Sequence, residues 1–259
     1  MGVRIALLDA SVGNTPAERN FRRVLDAEVT TFKLSEGQLP PPVTSRAWVY
    51  DGVVISGSQI SVYDDNDWIH GATEWFRRAQ AAGVPTLGVC WGHQFIAQAV
   101  GGRVVDMHEY ELGYRTITRV GDSPLFEGVP RRFTAFETHS DRVAELPPGA
   151  VTLARNDFGV QAFRVGGSYG VQFHPEYDRE TAEWVTKNKE LPEERIQHVL
   201  DGINENAVAD ANVSKAVCDN FVKIVTTTQP TQSDEWSEPT PSESALGSVP
   251  DQDFEETGR

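Results

Sequence analysis

Residues 84–100, VPTLGVCWGHQFIAQAV, place a short apolar run directly before a segment whose apolar residues recur at helical spacing. An apolar run bounded by turn residues is typical of a buried parallel strand. Cys90 lies between Gly88 and Gly92, at the corner where the strand would become a helix. Glycines suit such a corner because strand and helix approach each other closely there. The stretch therefore predicts a strand–turn–helix unit with a cysteine at its turn.

The regions on both sides of this unit extend the same alternation. VRIALLDA, VTTFKL and YDGVVISGS are predicted strands, and residues 15–26 and 66–83 are predicted helices, the first with Thr15 as its N-cap. From about residue 103, short alternating segments predict an antiparallel region. Strands that alternate with helices favour a parallel sheet. We therefore expect an α/β fold: a doubly wound, mostly parallel sheet flanked by helices, with a small antiparallel extension.

The chain divides by composition into a domain and a tail. Residues 1–225 are predicted to form one domain, in which the stripe of Ile196, Val199, Leu200 and Ile203 indicates a helix that packs on the core. Residues 226–259 are rich in Ser, Thr, Pro and acidic side chains, and are predicted to be a disordered acidic tail.

Composition excludes several classes of function. The net charge of −15 argues against a surface that neutralises nucleic-acid phosphates. No apolar run is long enough to span a membrane, and neither an export signal nor a disulfide framework is evident, so we expect a cytoplasmic protein. The histidines and cysteines lack metal-ligand spacing, and no phosphate-binding loop for ATP is present. We expect no metal and no cofactor.

Cys90 has the surroundings of a nucleophile, although an isolated free cysteine is more often a small buried apolar residue. The N-terminus of the following helix favours a thiolate, and the N–H of Trp91 points to where an oxyanion would form. His174 ends an apolar strand in YGVQFHPE, and Glu176 follows two residues later. Residues two apart in an extended segment point to the same side, so Glu176 can orient His174. The sequence predicts a Cys–His–Glu triad.

GVCWGHQ together with FHPE resembles the class I, or triad-type, glutamine amidotransferases, from about Val3 to Tyr177, and AVCDNFVKIV resembles their terminal helix. The resemblance implies a flavodoxin-like fold and hydrolysis of the γ-amide of glutamine through a γ-glutamyl thioester. It assigns Cys90 as nucleophile, His174 as general base and acid, and Glu176 as the orienting partner. GMP synthetase-type domains are the most similar in general character.

The resemblance also implies residues that contact the substrate. Gly57, after the third strand, is expected to supply one N–H of the oxyanion hole, and Trp91 the other. Gln94 corresponds to a glutamine that helps to hold the substrate. His139 and Ser140 correspond to a segment whose backbone holds the α-amino and carboxylate groups. A glycine at position 57 also has a plain structural use in a tight turn, and His139 could equally be a packing residue.

Three functions remain open. The chain could be a glutaminase that delivers ammonia to a separate synthetase subunit, because it shows no fused synthetase domain. It could also be a stand-alone γ-glutamyl hydrolase or peptidase that acts on another γ-glutamyl small molecule. A non-catalytic regulatory relative is the third, and the intact triad argues against it. An extra helical stretch, about 186–212, could form a partner surface or shape the substrate mouth.

Overall fold

In the computed structural model, which describes residues 2–228, one nine-stranded sheet is flanked by helices. The predicted doubly wound α/β fold is confirmed. The strands are β1 Arg4–Asp9, β2 Glu28–Lys33, β3 Gly52–Ile55, β4 Thr86–Val89, β5 Arg103–Arg119, β6 Arg132–Glu145, β7 Val151–Asn156, β8 Gly159–Val165 and β9 Ser168–Val171. The helices are α1 Ala17–Val24, α2 Asp67–Ala81, α3 Trp91–Ala99, α4 Arg179–Lys187, α5 Glu193–Gly202, α6 Glu205–Ala211 and α7 Ala216–Thr228.

The sheet has a parallel half and an antiparallel half, in the order β2-β1-β3-β4-β9-β8-β7-β5-β6. The strands from β2 to β9 are parallel, and each later pairing is antiparallel. Successive side chains of a strand point to opposite faces, so the fully buried Leu7 and Leu8 belong to two different cores. Phe221 of α7 belongs to the same core as Leu7, and Phe76 of α2 belongs to the same core as Leu8. Parallel strands buried on both faces explain the continuous apolar runs in the sequence.

The predicted cap of the first helix and the predicted start of the tail need correction. Helix α1 begins at Ala17 after Pro16, and Thr15 is not its cap. The Thr15 hydroxyl lies 2.7 Å from the Ser11 hydroxyl and accepts only a long hydrogen bond, at 3.5 Å, from the Ala17 backbone N–H. Helix α7 extends to Thr228, so the first three residues of the predicted tail are helical. The remainder of the tail, residues 229–259, lies outside the described residues.

The residues after α4 form a layer over β5 rather than part of the main core. The predicted stripe on α5 is only half-buried, apart from Ile203 just beyond the helix, which is buried. Val199 and Leu200 pack with Leu112 of β5 in a third, smaller apolar cluster. Within residues 2–228, no helix combines the length and the apolar character that crossing a membrane requires.

Candidate active site

The turn at Cys90 is as sharp as the sequence indicated. Cys90 has φ +54° and ψ −105°, a conformation that non-glycine residues rarely adopt. A Cβ at Gly88 would lie 2.3 Å from the Gly92 carbonyl oxygen, and one at Gly92 would lie 2.4 Å from the Ile55 carbonyl oxygen. No side chain fits at either position without moving the backbone. The two glycines therefore allow β3, β4 and α3 to meet beneath the cysteine.

This turn places Cys90 at the N-terminus of α3. Cys90 is 5% exposed, and its thiol donates a long hydrogen bond to the Thr138 carbonyl, with Sγ 3.8 Å from the oxygen. Trp91 is the first residue of α3, so its N–H has no partner within the helix. Gly57 follows β3 beside this point: a Cβ added there would lie 3.9 Å from Cys90 Sγ and 3.2 Å from His174 Cε1. The structure thus brings Gly57, Cys90 and His174 together.

His174 is held by contacts on several sides and keeps one ring nitrogen unused. Nδ1 lies 2.8 Å from Glu176 Oε1, and the His174 backbone N–H donates to the Phe136 carbonyl at 2.9 Å. Tyr177 stacks on the imidazole with ring centroids 4.0 Å apart. Arg23 of α1 donates to the Glu176 backbone carbonyl at 2.6 Å, which anchors the segment. Nε2 is buried and has no hydrogen-bond partner among residues 2–228.

The charges around His174 favour its protonated form. Burial would lower the pKa of His174, but the negative charges of Glu176 and of a Cys90 thiolate, together with polar interactions of the ring with both side chains, raise it to about 10. An imidazolium beside a thiolate can give its proton to a leaving nitrogen, and the neutral ring can then accept one from water.

A cavity of about 220 Å³ opens above these residues. Gly57, Cys90, His174 and Glu176 line it, together with side chains of α1 and of the α4 region. Three predicted substrate residues, Gln94, His139 and Ser140, do not line it. Gln94 is buried, and its Nε2 donates to the Asp141 carbonyl at 2.9 Å and to Gln172 Oε1 at 3.1 Å. Ser140 lines a separate, more open cavity.

His139 belongs to a buried ionic cluster, which we define as Glu111, Glu137 and His139. His139 Nδ1 donates to the Asp141 carbonyl at 2.8 Å, and Nε2 lies 2.9 Å from Glu111 Oε2 and 3.4 Å from Glu137 Oε2. A carbonyl oxygen only accepts, so Nδ1 carries a proton. Nε2 faces two carboxylates, and a proton there as well makes the ring an imidazolium. Both ring nitrogens of His139 are therefore occupied within the protein.

The buried ionic cluster has one more carboxylate than cation. Burial would lower the pKa of His139, but the hydrogen bonds and charges of Glu111 and Glu137 raise it well above its ordinary value of 6.5. Burial raises the pKa of Glu137 to about 7, against the influence of His139. The three possible ligand atoms lie within 4.8 Å of one another, close enough to hold a metal ion. The imidazolium already occupies the position between the carboxylates, and the absence of a metal stays a prediction.

Several residues near the site were not identified from the sequence. Thr138 reaches the cavity and accepts from Cys90, and Tyr177 stacks on His174. Thr138 directly precedes the predicted His139, and Tyr177 directly follows the predicted Glu176, so motifs one residue longer would have included both. Trp184, Asn188 and Lys189 line the cavity from α4 and the turn after it, and no local pattern marks them.

Comparison with known proteins agrees with the geometry. The model of the family "Glutamine amidotransferase class-I" matches residues 7–189. Gamma-glutamyl peptidase 5 of Arabidopsis thaliana is 31% identical over 241 residues, which cover 85% of this chain and 95% of the peptidase. A glutamine-hydrolysing GMP synthase of Thermomicrobium roseum is 37% identical over 126 residues, which cover 48% of this chain and only 23% of the synthase.

A solved structure supports the same fold. The crystal structure of a glutamine amidotransferase from Thermotoga maritima aligns with 86% of this chain and 99% of its own, with a TM-score of 0.71 and 22% sequence identity. At this identity the likeness concerns the fold alone. The family model covers more than half of the chain, and a relative more than 30% identical aligns along nearly its whole length. The chain belongs to the class I glutamine amidotransferase family.

Proposed function

We propose that the protein hydrolyses the γ-amide bond of a γ-glutamyl compound through a thioester on Cys90. The observation that carries this proposal is the junction of a strained nucleophile turn with a histidine whose Nε2 is unused and whose Nδ1 is held by Glu176. A cavity reaches all three side chains.

The chemistry proceeds in two steps. The Cys90 thiolate attacks the γ-carbonyl carbon, a C–S bond forms, and His174 donates a proton to the leaving nitrogen as the C–N bond breaks. Water then attacks the thioester, His174 accepts its proton, the C–S bond breaks, and glutamate leaves. The N–H groups of Gly57 and Trp91 stabilise the oxyanion in both steps.

Glu176 acts on the orientation and charge of His174 rather than on the substrate. Contact of Gln94, His139 and Ser140 with the substrate stays a prediction. In the arrangement described above their side chains do not line the cavity, and the segment of β6 reaches it through Thr138.

Stand-alone hydrolysis of a γ-glutamyl amide is the version we favour. The alignment with gamma-glutamyl peptidase 5 covers 95% of that enzyme, whereas the alignment with the T. roseum GMP synthase covers 23% of the synthase. The second candidate is a glutaminase that passes ammonia to a separate synthetase, and the greater local identity to the GMP synthase supports it.

The thioester is tested with a glutamine-like diazoketone. Mass spectrometry is expected to find one covalent adduct, on Cys90, and none in the Cys90→Ala variant. Cys218, the other cysteine, is fully buried in the core and serves as an internal control. No adduct under conditions that label a known glutaminase would overturn the proposal. Release of ammonia from glutamine, compared with release of glutamate from γ-glutamyl peptides, separates the two candidate functions.

A further inference from the structure

The turn after α4 contributes a basic side chain to the lining of the cavity above Cys90. The turn after α4 contributes Asn188 and Lys189 to the lining, and α4 contributes Trp184, whose side chain is 41% exposed. Among the residues that line this cavity, Lys189 is the one lysine or arginine. Glu176, which also lines it, is paired with His174. Apart from His174, Lys189 is therefore the positive charge that this lining offers to a substrate.

Lys189 is held in place without an acidic partner. Its Nζ lies 4.8 Å from the centroid of the Tyr110 ring, which attracts the ammonium through its π face. The backbone N–H of Lys189 donates to the Thr186 carbonyl at 3.3 Å, and Asn188 Nδ2 donates to the Trp184 carbonyl at 2.7 Å, so the turn is fixed. No carboxylate of residues 2–228 lies within 4.0 Å of this ammonium. The charge is left for another anion.

A substrate of the proposed reaction supplies such an anion. Every γ-glutamyl compound has an α-carboxylate, and a γ-glutamyl peptide has a second carboxylate on its leaving group. A partly desolvated ammonium binds a carboxylate more strongly than a fully hydrated ammonium does. We propose that Lys189 binds a carboxylate of the substrate at the mouth of the cavity, which makes the turn after α4 a determinant of substrate choice. The inference rests on the proposed function and assigns the beginning of the extra stretch to the substrate mouth.

The test uses two pairs of substrates that differ only in one carboxylate. L-Glutamine and L-glutaminamide differ in the α-carboxylate, and γ-glutamylglycine and γ-glutamylglycinamide differ in the leaving-group carboxylate. Lys189→Met removes the charge and keeps the apolar stem against Tyr110. Lys187→Met is the matched control, because Lys187 pairs with Glu183 on the outer side of α4 and does not line the cavity.

We expect Lys189→Met to lower kcat/KM about tenfold or more for the carboxylate-bearing member of one pair, mainly through KM. The amide member of that pair should change little, and the pair affected identifies which carboxylate is bound. An equal effect on both members of both pairs, or none beyond that of Lys187→Met, would overturn the inference while the proposed function stands. If the unmodified protein cleaves none of the four compounds, the proposed function fails and the inference fails with it.

Discussion

Two buried histidines near Cys90, His174 and His139, each lie at hydrogen-bond distance from a glutamate. They differ in whether a ring nitrogen is left without a hydrogen-bond partner. His174 pairs Nδ1 with Glu176 and leaves Nε2 without a partner among the described residues, beside a cavity that reaches Cys90. His139 uses Nδ1 for the Asp141 carbonyl and Nε2 for Glu111, away from that cavity.

This difference supports the proposed chemical role of His174 and sets His139 apart from it. A general base needs a free nitrogen within reach of the substrate, and only His174 of the two has one. His139 instead neutralises carboxylates that would otherwise be buried without a cation. A nearby glutamate is common to both histidines, so it is the unpartnered ring nitrogen beside the cavity that distinguishes His174 from His139.

The largest effect is expected from His174→Gln. Without its base the reaction should slow on the order of 10⁶-fold in kcat, as in hydrolase triads that lose a member. Cys90→Ala should lower kcat by a similar factor. The double variant should lower it little further, because the two residues act as a unit. Steady-state release of glutamate measures the loss, and urea unfolding checks that the variants remain folded. Activity above a tenth of the original level in His174→Gln would refute the assignment of the base.

His139→Gln should act on stability instead. Loss of the imidazolium leaves Glu111 and Glu137 buried without their cation, and the free energy of unfolding should fall by about 3–5 kcal/mol. Urea denaturation measures this change. The control is His70→Gln, because the His70 side chain is 65% exposed and should shift the free energy by less than about 0.5 kcal/mol. A His139→Gln variant with normal stability and a raised KM would instead support the predicted contact of His139 with substrate.

Glu176→Gln should weaken catalysis less than loss of His174. Removal of the carboxylate charge should lower the pKa of His174 from about 10 toward its ordinary value and reduce kcat/KM roughly a hundredfold to a thousandfold. Titration of the His174 ring resonances by NMR follows the pKa, and initial rates follow kcat/KM. Glu180→Gln is a control at an exposed ion pair with Arg19. An unchanged His174 pKa in Glu176→Gln would contradict the pairing.

The smallest effect is expected from Glu137, as a pH dependence of the free energy of unfolding. Its pKa is raised to about 7 in the folded protein from an ordinary 4.5, so the folded state binds more protons than the unfolded state in that window. The contribution of Glu137 to stability therefore falls as pH rises from about 4.5 to 7. Glu137→Gln removes this loss, and its free energy of unfolding relative to the original protein should rise across the same window. Urea unfolding at several pH values measures it, and a flat difference would show that Glu137 is ionised throughout.

Local patterns pointed to the turn at Cys90 and to the His174–Glu176 pair because the geometry of both is local. Glycine is required on both sides of Cys90 because a Cβ there would clash with the carbonyl oxygens of Gly92 and Ile55. Glu176 lies only two residues after His174 in the chain. His139 was harder to interpret, because its partner Glu111 lies 28 residues away on another strand. A motif that contains a histidine does not reveal which long-range partners occupy its ring.

The sequence by itself determined the alternating strands and helices and the strained turn at Cys90, since periodicity and the absence of a Cβ act over a few residues. The tertiary structure alone decided which of His174 and His139 keeps an unpartnered nitrogen beside the cavity, and that Lys189 lines this cavity. Both depend on burial and on contacts between segments distant in the chain. Desolvation and charge pairing, which set these roles, exist only once those segments have packed together.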